Sequence, residues 1–182
     1  MKVTPTGLPG VLIVEPAVFE DERGFFYESF NQKAFDAAVG AHVVFVQDNH
    51  SCSRKGVLRG LHYQLPPYAQ GKLVRVVRGS AFDVAVDIRR ASPTFGRWTA
   101  MTLDARARRQ LWIPTGFAHG FLALEDDTHF LYKTTEFYSR THERTIAWDD
   151  ADIGIQWPAS AAPQLAAKDA AGTRLSQAEV FC

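Results

Sequence analysis

Lys72-Leu73-Val74-Arg75-Val76-Val77-Arg78-Gly79-Ser80-Ala81-Phe82-Asp83-Val84-Ala85-Val86-Asp87-Ile88 is the stretch whose reading decides the fold class. From Ala81 onward large apolar residues (Phe82, Val84, Val86, Ile88) alternate with small or acidic ones (Ala81, Asp83, Ala85, Asp87). A period of two belongs to a strand, whose successive side chains point to opposite faces; a helix would space its apolar residues three and four apart. Lys72 to Val77 is rich in valine and reads as a strand as well. Arg78-Gly79-Ser80 between the two runs predicts a hairpin turn.

Outward from this pair the pattern repeats. Thr99 to Leu103, Gln110 to Ile113, His119 to Leu124 and Thr128 to Glu136 read as strands, separated by Asp104-Ala105-Arg106, Pro114-Thr115-Gly116 and Glu125-Asp126-Asp127. Many short strands at this spacing predict an all-β sandwich or small barrel. Helix signals are few. Asn31 is placed to cap a helix over Gln32 to Val39, with Gly40 as its stop. The alanine-rich tail after Trp157-Pro158 has room for one helical turn near Leu165 to Asp169, and is otherwise expected to be loosely structured from about residue 159. No repeat, low-complexity tract or linker interrupts residues 1–182, so a single domain is expected.

Bulk composition excludes several classes. A hydrophobic share of 46% with 12% aromatics is not that of a disordered chain. Twenty basic residues balance twenty acidic ones, so no global field draws in nucleic acid or a membrane surface, and any anion must be held by local arginines and lysines. No apolar run approaches the ~20 residues that span a bilayer, and the first residues lack the apolar core of a signal peptide. Cys52 and Cys182 are expected to be reduced thiols of a cytoplasmic protein.

The chemistry-bearing residues cluster. Gly56-Val57-Leu58-Arg59-Gly60-Leu61-His62-Tyr63-Gln64, then Gln70-Gly71-Lys72-Leu73, sets Arg59, His62 and Lys72 among glycines and apolar runs. A neutral imidazole suits a general base if a carboxylate fixes its tautomer, although a lone strand histidine is more often structural. Strict alternation puts Arg59 and His62 on opposite faces, so both reach one pocket only if Gly60 sits in a bulge or bend. Tyr132 shares a face with Phe130 and Thr134, where packing alone would explain it. Asp83 either orients His119 or is a surface charge. Gln47 and Asn49 share a face and suit sugar hydroxyls or a base edge, and Arg23, Arg59 and Lys168 are the best phosphate ligands. Pro114-x-Gly116-x-x-His119 resembles the second half of the cupin metal signature, but His62-Tyr63-Gln64 lacks the other ligands. Two imidazoles are a poor cage, and no metal is expected. Glycine-rich phosphate loops and nucleophile elbows are absent.

Taken in order, Arg23-Gly24-Phe25-Phe26-Tyr27-Glu28, Gln47-Asp48-Asn49-His50-Ser51, Gly56 to Gln64, Gln70 to Val76, Ile113-Pro114-x-Gly116-Phe117-Ala118-His119-Gly120-Phe121, Tyr132-Lys133, Trp148-Asp149-Asp150, Ile155-x-Trp157-Pro158 and Lys168-Asp169 resemble the dTDP-4-dehydrorhamnose 3,5-epimerase family. The likeness runs from about residue 2 to residue 169. It implies a cupin-type jelly roll or β-barrel, a homodimer, no metal or redox cofactor, and a dTDP-sugar substrate inverted at the two carbons flanking its C4 ketone. By that resemblance His62 is the base, Asp169 orients it and Tyr132 is the acid. Arg23, Phe26, Glu28, Gln47, Asn49, Arg59, Lys72, His119, Glu143 and Lys168 match substrate-contact positions. Lys72 and His119 suit an enolate oxygen, and Tyr138 is placed to stack on thymine or to serve as a reserve acid. Departures are mild: Arg140 and Thr115 stand where the family has proline, Thr145 where it has glycine, and Ala166 where it has serine. An epimerase of one centre only, a metal-dependent cupin and a sugar-nucleotide binding module are the alternatives.

Overall fold

The alternating run at Ala81 is a strand covered on both faces, and that double burial shapes the whole molecule. The computed structural model describes residues 1–182. Its elements are β1 (Lys2–Pro5), β2 (Leu12–Glu15), β3 (Val18–Asp21), β4 (Gly24–Tyr27), α1 (Gln32–Val39), β5 (Gln47–Ser53), β6 (Leu58–Gln64), β7 (Lys72–Arg78), β8 (Ser80–Asp87), β9 (Trp98–Asp104), β10 (Gln110–Ile113), β11 (Phe117–Ala123), β12 (Thr128–Thr134), β13 (Glu143–Thr145) and α2 (Ala167–Ala170). A six-stranded sheet has the order β1-β2-β10-β7-β12-β5 and a five-stranded sheet the order β13-β6-β11-β8-β9. Both are antiparallel throughout. They form an all-β, cupin-type jelly roll, and β3 and β4 pair only with each other as a separate ribbon.

The small face of β8 looks inward. Ala81 and Ala85 join Val74, Val76, Leu103, Phe121 and Phe130 in the main core, where the alanines leave room for the stacked rings of Phe121 and Phe130, 4.0 Å apart. The large apolar face looks outward and is covered by the end of the chain. Val84, Val86 and Ile88 pack with Ile153 and Leu175, and with Trp157 and Phe181 at the margin. Each fully buried side chain of this size contributes roughly 1.5–3 kcal/mol, so the covering segment is part of the fold.

The expected hairpin at Arg78-Gly79-Ser80 is not there. β7 pairs with β10 and β12, whereas β8 pairs with β11 and β9. The turn carries the chain from one sheet to the other. Gly79 makes the corner at φ 72°, where an added Cβ would sit 2.6 Å from the Thr128 hydroxyl. Strand pattern and turn residue look alike for both kinds of corner; what differs is the long-range partner each strand already has.

The helix Gln32–Val39 has the ends its sequence predicts. Asn31 Oδ1 accepts the Ala34 N–H and Gly40 stops the last turn. Phe35 packs edge-on to Trp112, closing a smaller core on the outer face of the six-stranded sheet. The tail, expected to be loose from about residue 159, is tied in from Gln164 on. Gln164 bridges to Val57, Thr173 to Ile146 and Phe181 to Arg89, with α2 in between. Cys52 and Cys182 are free, exposed thiols, and no helix is long and apolar enough to cross a membrane.

Candidate active site

The conflict between Arg59 and His62 is resolved by the backbone. Opposite β6, His119 faces His62 and Phe121 faces Arg59, so Gly60 and Leu61 together stand against Gly120 alone. That is a β-bulge, and it turns Arg59 and His62 to the same side. Gly60 adopts φ 132°, and a Cβ there would lie 2.5 Å from the Gly120 Cα; only glycine fits.

The bulge opens onto a cavity of about 260 Å³ whose polar lining includes Arg59, His62, Lys72, His119, Tyr132 and Asp169. These come from β6, β7, β11, β12 and α2, and therefore from both sheets and the tail. His62 Nε2 lies 2.5 Å from Asp169 Oδ1, and Asp169 is almost wholly buried. Burial lowers the His62 pKa; Asp169 pulls it back up, and Lys72 and Lys168 push it down. A neutral ring that donates Nε2–H to Asp169 keeps Nδ1 as a proton acceptor.

His119 forms a second imidazole–carboxylate pair, its Nε2 lying 2.7 Å from Asp83 Oδ1 with both groups buried. Burial raises the Asp83 pKa against the pull of His119 and Lys72, and its Oδ2 has no hydrogen-bond partner. Lys72 Nζ donates to the His62 carbonyl at 3.4 Å, and burial pushes its pKa down to about 8. Burial raises the Tyr132 pKa, which keeps its phenol a proton donor. At the mouth Tyr138 donates to Glu143 Oε2 at 3.1 Å, and Lys168 holds the other oxygen at 2.9 Å. Burial alone would raise the Glu143 pKa, but the Lys168 ammonium holds it low.

Not every expected residue reaches this cavity. Arg23 and Phe26 sit on the exposed β3–β4 ribbon, where Arg23 is paired with Asp21 at 2.6 Å and Phe26 is 69% exposed. Glu28 lines a separate hollow with Phe30, Phe35 and Leu73. Gln47 donates to Asn49 at 2.9 Å and accepts the Tyr138 N–H at 3.1 Å, so the two amides stand beside the Tyr138 loop. Sequence reasoning missed Ser51, Gln64 and Gln70, which do line the cavity. Ser51 was within reach, being two residues on from Asn49 on one strand face. Buried Gln64 gives no such signal. It donates to the Tyr68 and Phe137 carbonyls and accepts the Ser139 N–H, which clamps the loop bearing Tyr138. The cupin-like His119 lies opposite His62, but each ring is committed to a carboxylate, and no group of three His, Cys, Asp or Glu side chains converges as a metal cage.

The chain matches the dTDP-4-dehydrorhamnose 3,5-epimerase family over residues 5–177. It is 61% identical to the dTDP-4-dehydrorhamnose 3,5-epimerase of Shigella flexneri over 181 residues, which cover 100% of this chain and 99% of that one. The crystal structure of dTDP-6-deoxy-D-glucose-3,5-epimerase from Legionella pneumophila, in complex with dTDP-4-keto-L-rhamnose, superposes with a TM-score of 0.95 at 48% identity, covering 98% of this chain and 94% of that one. A 3'-monoepimerase from Streptomyces bikiniensis in complex with dTDP-quinovose superposes with a TM-score of 0.90 at 35% identity, over 94% and 87% of the two chains. Sequence match and fold agree over almost the whole length, and this chain belongs to the dTDP-4-dehydrorhamnose 3,5-epimerase family.

Proposed function

We propose that this epimerase inverts C3 and C5 of dTDP-4-dehydro-6-deoxy-glucose by paired proton transfers beside its C4 ketone, with His62 as base and Tyr132 as acid. A carbon-bound proton next to a ketone becomes removable when the electron pair it leaves can move onto a stabilised oxygen. Lys72 is the cation for that oxygen, with His119 beside it. Because C3 and C5 flank the same ketone, one Lys72 serves both enolates. Inversion needs the new proton to arrive from the face opposite the one that lost it. The observation that carries this reading is the origin of the two groups: His62 comes from the five-stranded sheet and Tyr132 from the six-stranded sheet, both lining one cavity. Burial keeps the imidazole neutral and the phenol protonated, the states that a base and an acid require.

Arg59 is the phosphate ligand of the cavity itself. Arg23 and Phe26, exposed on a ribbon outside this cavity, would touch the substrate from a second copy; the working unit is then a homodimer. Sedimentation of a monomer at working concentration would rule that out. Two free, exposed thiols fit a reducing, cytoplasmic compartment.

The test is incubation with the 4-keto sugar nucleotide in deuterated water. Label is expected at C3 and C5, whereas label at one carbon would mark a single-centre enzyme like the 3'-monoepimerase relative. His62→Ala should lose exchange at both carbons, by about 10²–10⁴-fold, while still binding dTDP. Tyr132→Phe should still wash label into the first carbon attacked but return it unepimerised, with product formation down on the order of 10²–10⁴. Normal epimerisation by Tyr132→Phe would leave Tyr132 as packing only and shift the acid role to Tyr138 or a water.

A further inference from the structure

The His62 partner is carried on a weak element. α2 is four residues long and has no side-chain cap, far too short to hold itself together, yet it must deliver the Asp169 carboxylate to 2.5 Å from an imidazole 107 residues away in sequence. Something outside α2 fixes it. On its near side Gln164 is bonded twice at the entry to β6, to Gly56 just before the strand and to Leu58, its first residue. On its far side Gly172 presses on the chain after β13, so closely that an added Cβ would lie 2.7 Å from the Ala147 backbone. Thr173 then bonds to Thr145 and Ala147, each at 2.9 Å, and Thr145 is itself the register partner of His62.

This far anchor ends on one buried carboxylate. Asp150 is 3% exposed. Its Oδ1 accepts the N–H groups of Asp152 and Ile153, which is an ordinary local turn. Its Oδ2 does something different, accepting the Leu175 N–H at 2.7 Å across 25 residues in a buried setting. A charged acceptor makes a stronger hydrogen bond than a neutral one, more so where water is excluded. We infer that Asp150 is a positioning residue of the epimerase: it locks the tail at Leu175 and thereby holds Asp169 against His62. It touches neither the cavity nor His62 and acts only through the Thr173 and α2 backbone. The role rests on the reading of His62 as the base.

Asp150→Asn keeps the Oδ1 acceptor and puts an amide donor where Leu175 needs an acceptor. Misplacing a catalytic partner by about 1 Å costs up to ~10²-fold, so kcat should fall by about 10- to 100-fold with KM within about twofold. The decisive readout is the NMR titration of the His62 ring in the full-length protein. His62 faces Asp169 and Lys168 from α2, Lys72 from β7 and Glu143 from β13; Asp169 pulls its pKa up through both a hydrogen bond and its charge, and Glu143 attracts the ring by charge alone. Loosening α2 should therefore move the ring titration to lower pH, and Asp150→Asn added to Asp169→Asn should move it no further. A merely structural residue would lower Tm and leave the titration in place, and that result overturns the inference. It also separates this failure from failure of the base assignment, which is read independently by exchange in His62→Ala. Should Asp150→Asn not fold, amide exchange in the unaltered protein decides. Leu175 and Ala170 should share one protection factor, and an α2 that opens while Leu175 stays protected overturns the lock.

Discussion

Lys72→Met should make the protein more stable and nearly inactive in the same stroke. Lys72 is 9% exposed, its ammonium makes one hydrogen bond, to the His62 carbonyl, and burial brings its pKa from 10.5 down to about 8. The gap of about 2.5 pH units, at 1.36 kcal/mol each, means that holding the charge costs the folded state about 3 kcal/mol relative to the unfolded chain. At pH 7 both states are charged and the whole cost is present. Between pH 8 and 10.5 the folded protein has released the proton while the unfolded chain keeps it, so stability rises with pH across that window and is lost again as pH falls through 8. Methionine keeps the length of the stem and removes the charge, at the loss of one hydrogen bond worth about 1 kcal/mol. Urea denaturation at pH 7 should then show a gain of about 2 kcal/mol that fades by about pH 10. Epimerisation should fall by about 10²–10³-fold, as when an enolate or oxyanion donor is removed. A Lys72→Met variant less stable than the parent at pH 7, or equally advantaged at pH 10, would refute the view that this cation is held in the pocket against the preference of the fold.

The pH profile of kcat/KM should be a bell, with its acid limb below 6.5, because burial lowers the His62 pKa, and its alkaline limb near 8, where Lys72 loses its proton. The residual activity of Lys72→Arg, whose guanidinium stays charged, should extend past pH 8; an alkaline limb that stays put would take Lys72 out of the reaction. Gly60→Ala should lose more than about 3 kcal/mol, because its Cβ meets the Gly120 backbone at 2.5 Å at a φ that alanine avoids. An unchanged melting temperature would show that the bulge relaxes freely.

What could be read in advance follows the reach of each interaction along the chain. Asn31 and Gly40 act within one helical turn of what they cap, so both ends of α1 were legible. Gly60 was legible too, because Arg59 and His62 posed a conflict three residues wide that only a bulge resolves. Gly79 was misread because its neighbours look like a hairpin, whereas what sends β8 to the other sheet is its pairing with β11, thirty or more residues on. Which face of β8 turns inward was not legible for the same reason: alanine and aspartate suit solvent or a crowded interior equally, and only the Phe121–Phe130 stack filling that interior decides. Asp169 meets His62 across 107 residues, and no local pattern announces it; the family resemblance did. Asp150 marks the limit of that logic. Two of its three bonds are the turn that any reader of Asp149-Asp150-Ala151-Asp152 would expect, and they would satisfy an exposed aspartate completely. The third bond, to Leu175, explains why the residue is buried, and it connects a turn to the partner of His62 only once the tail has folded back over the five-stranded sheet.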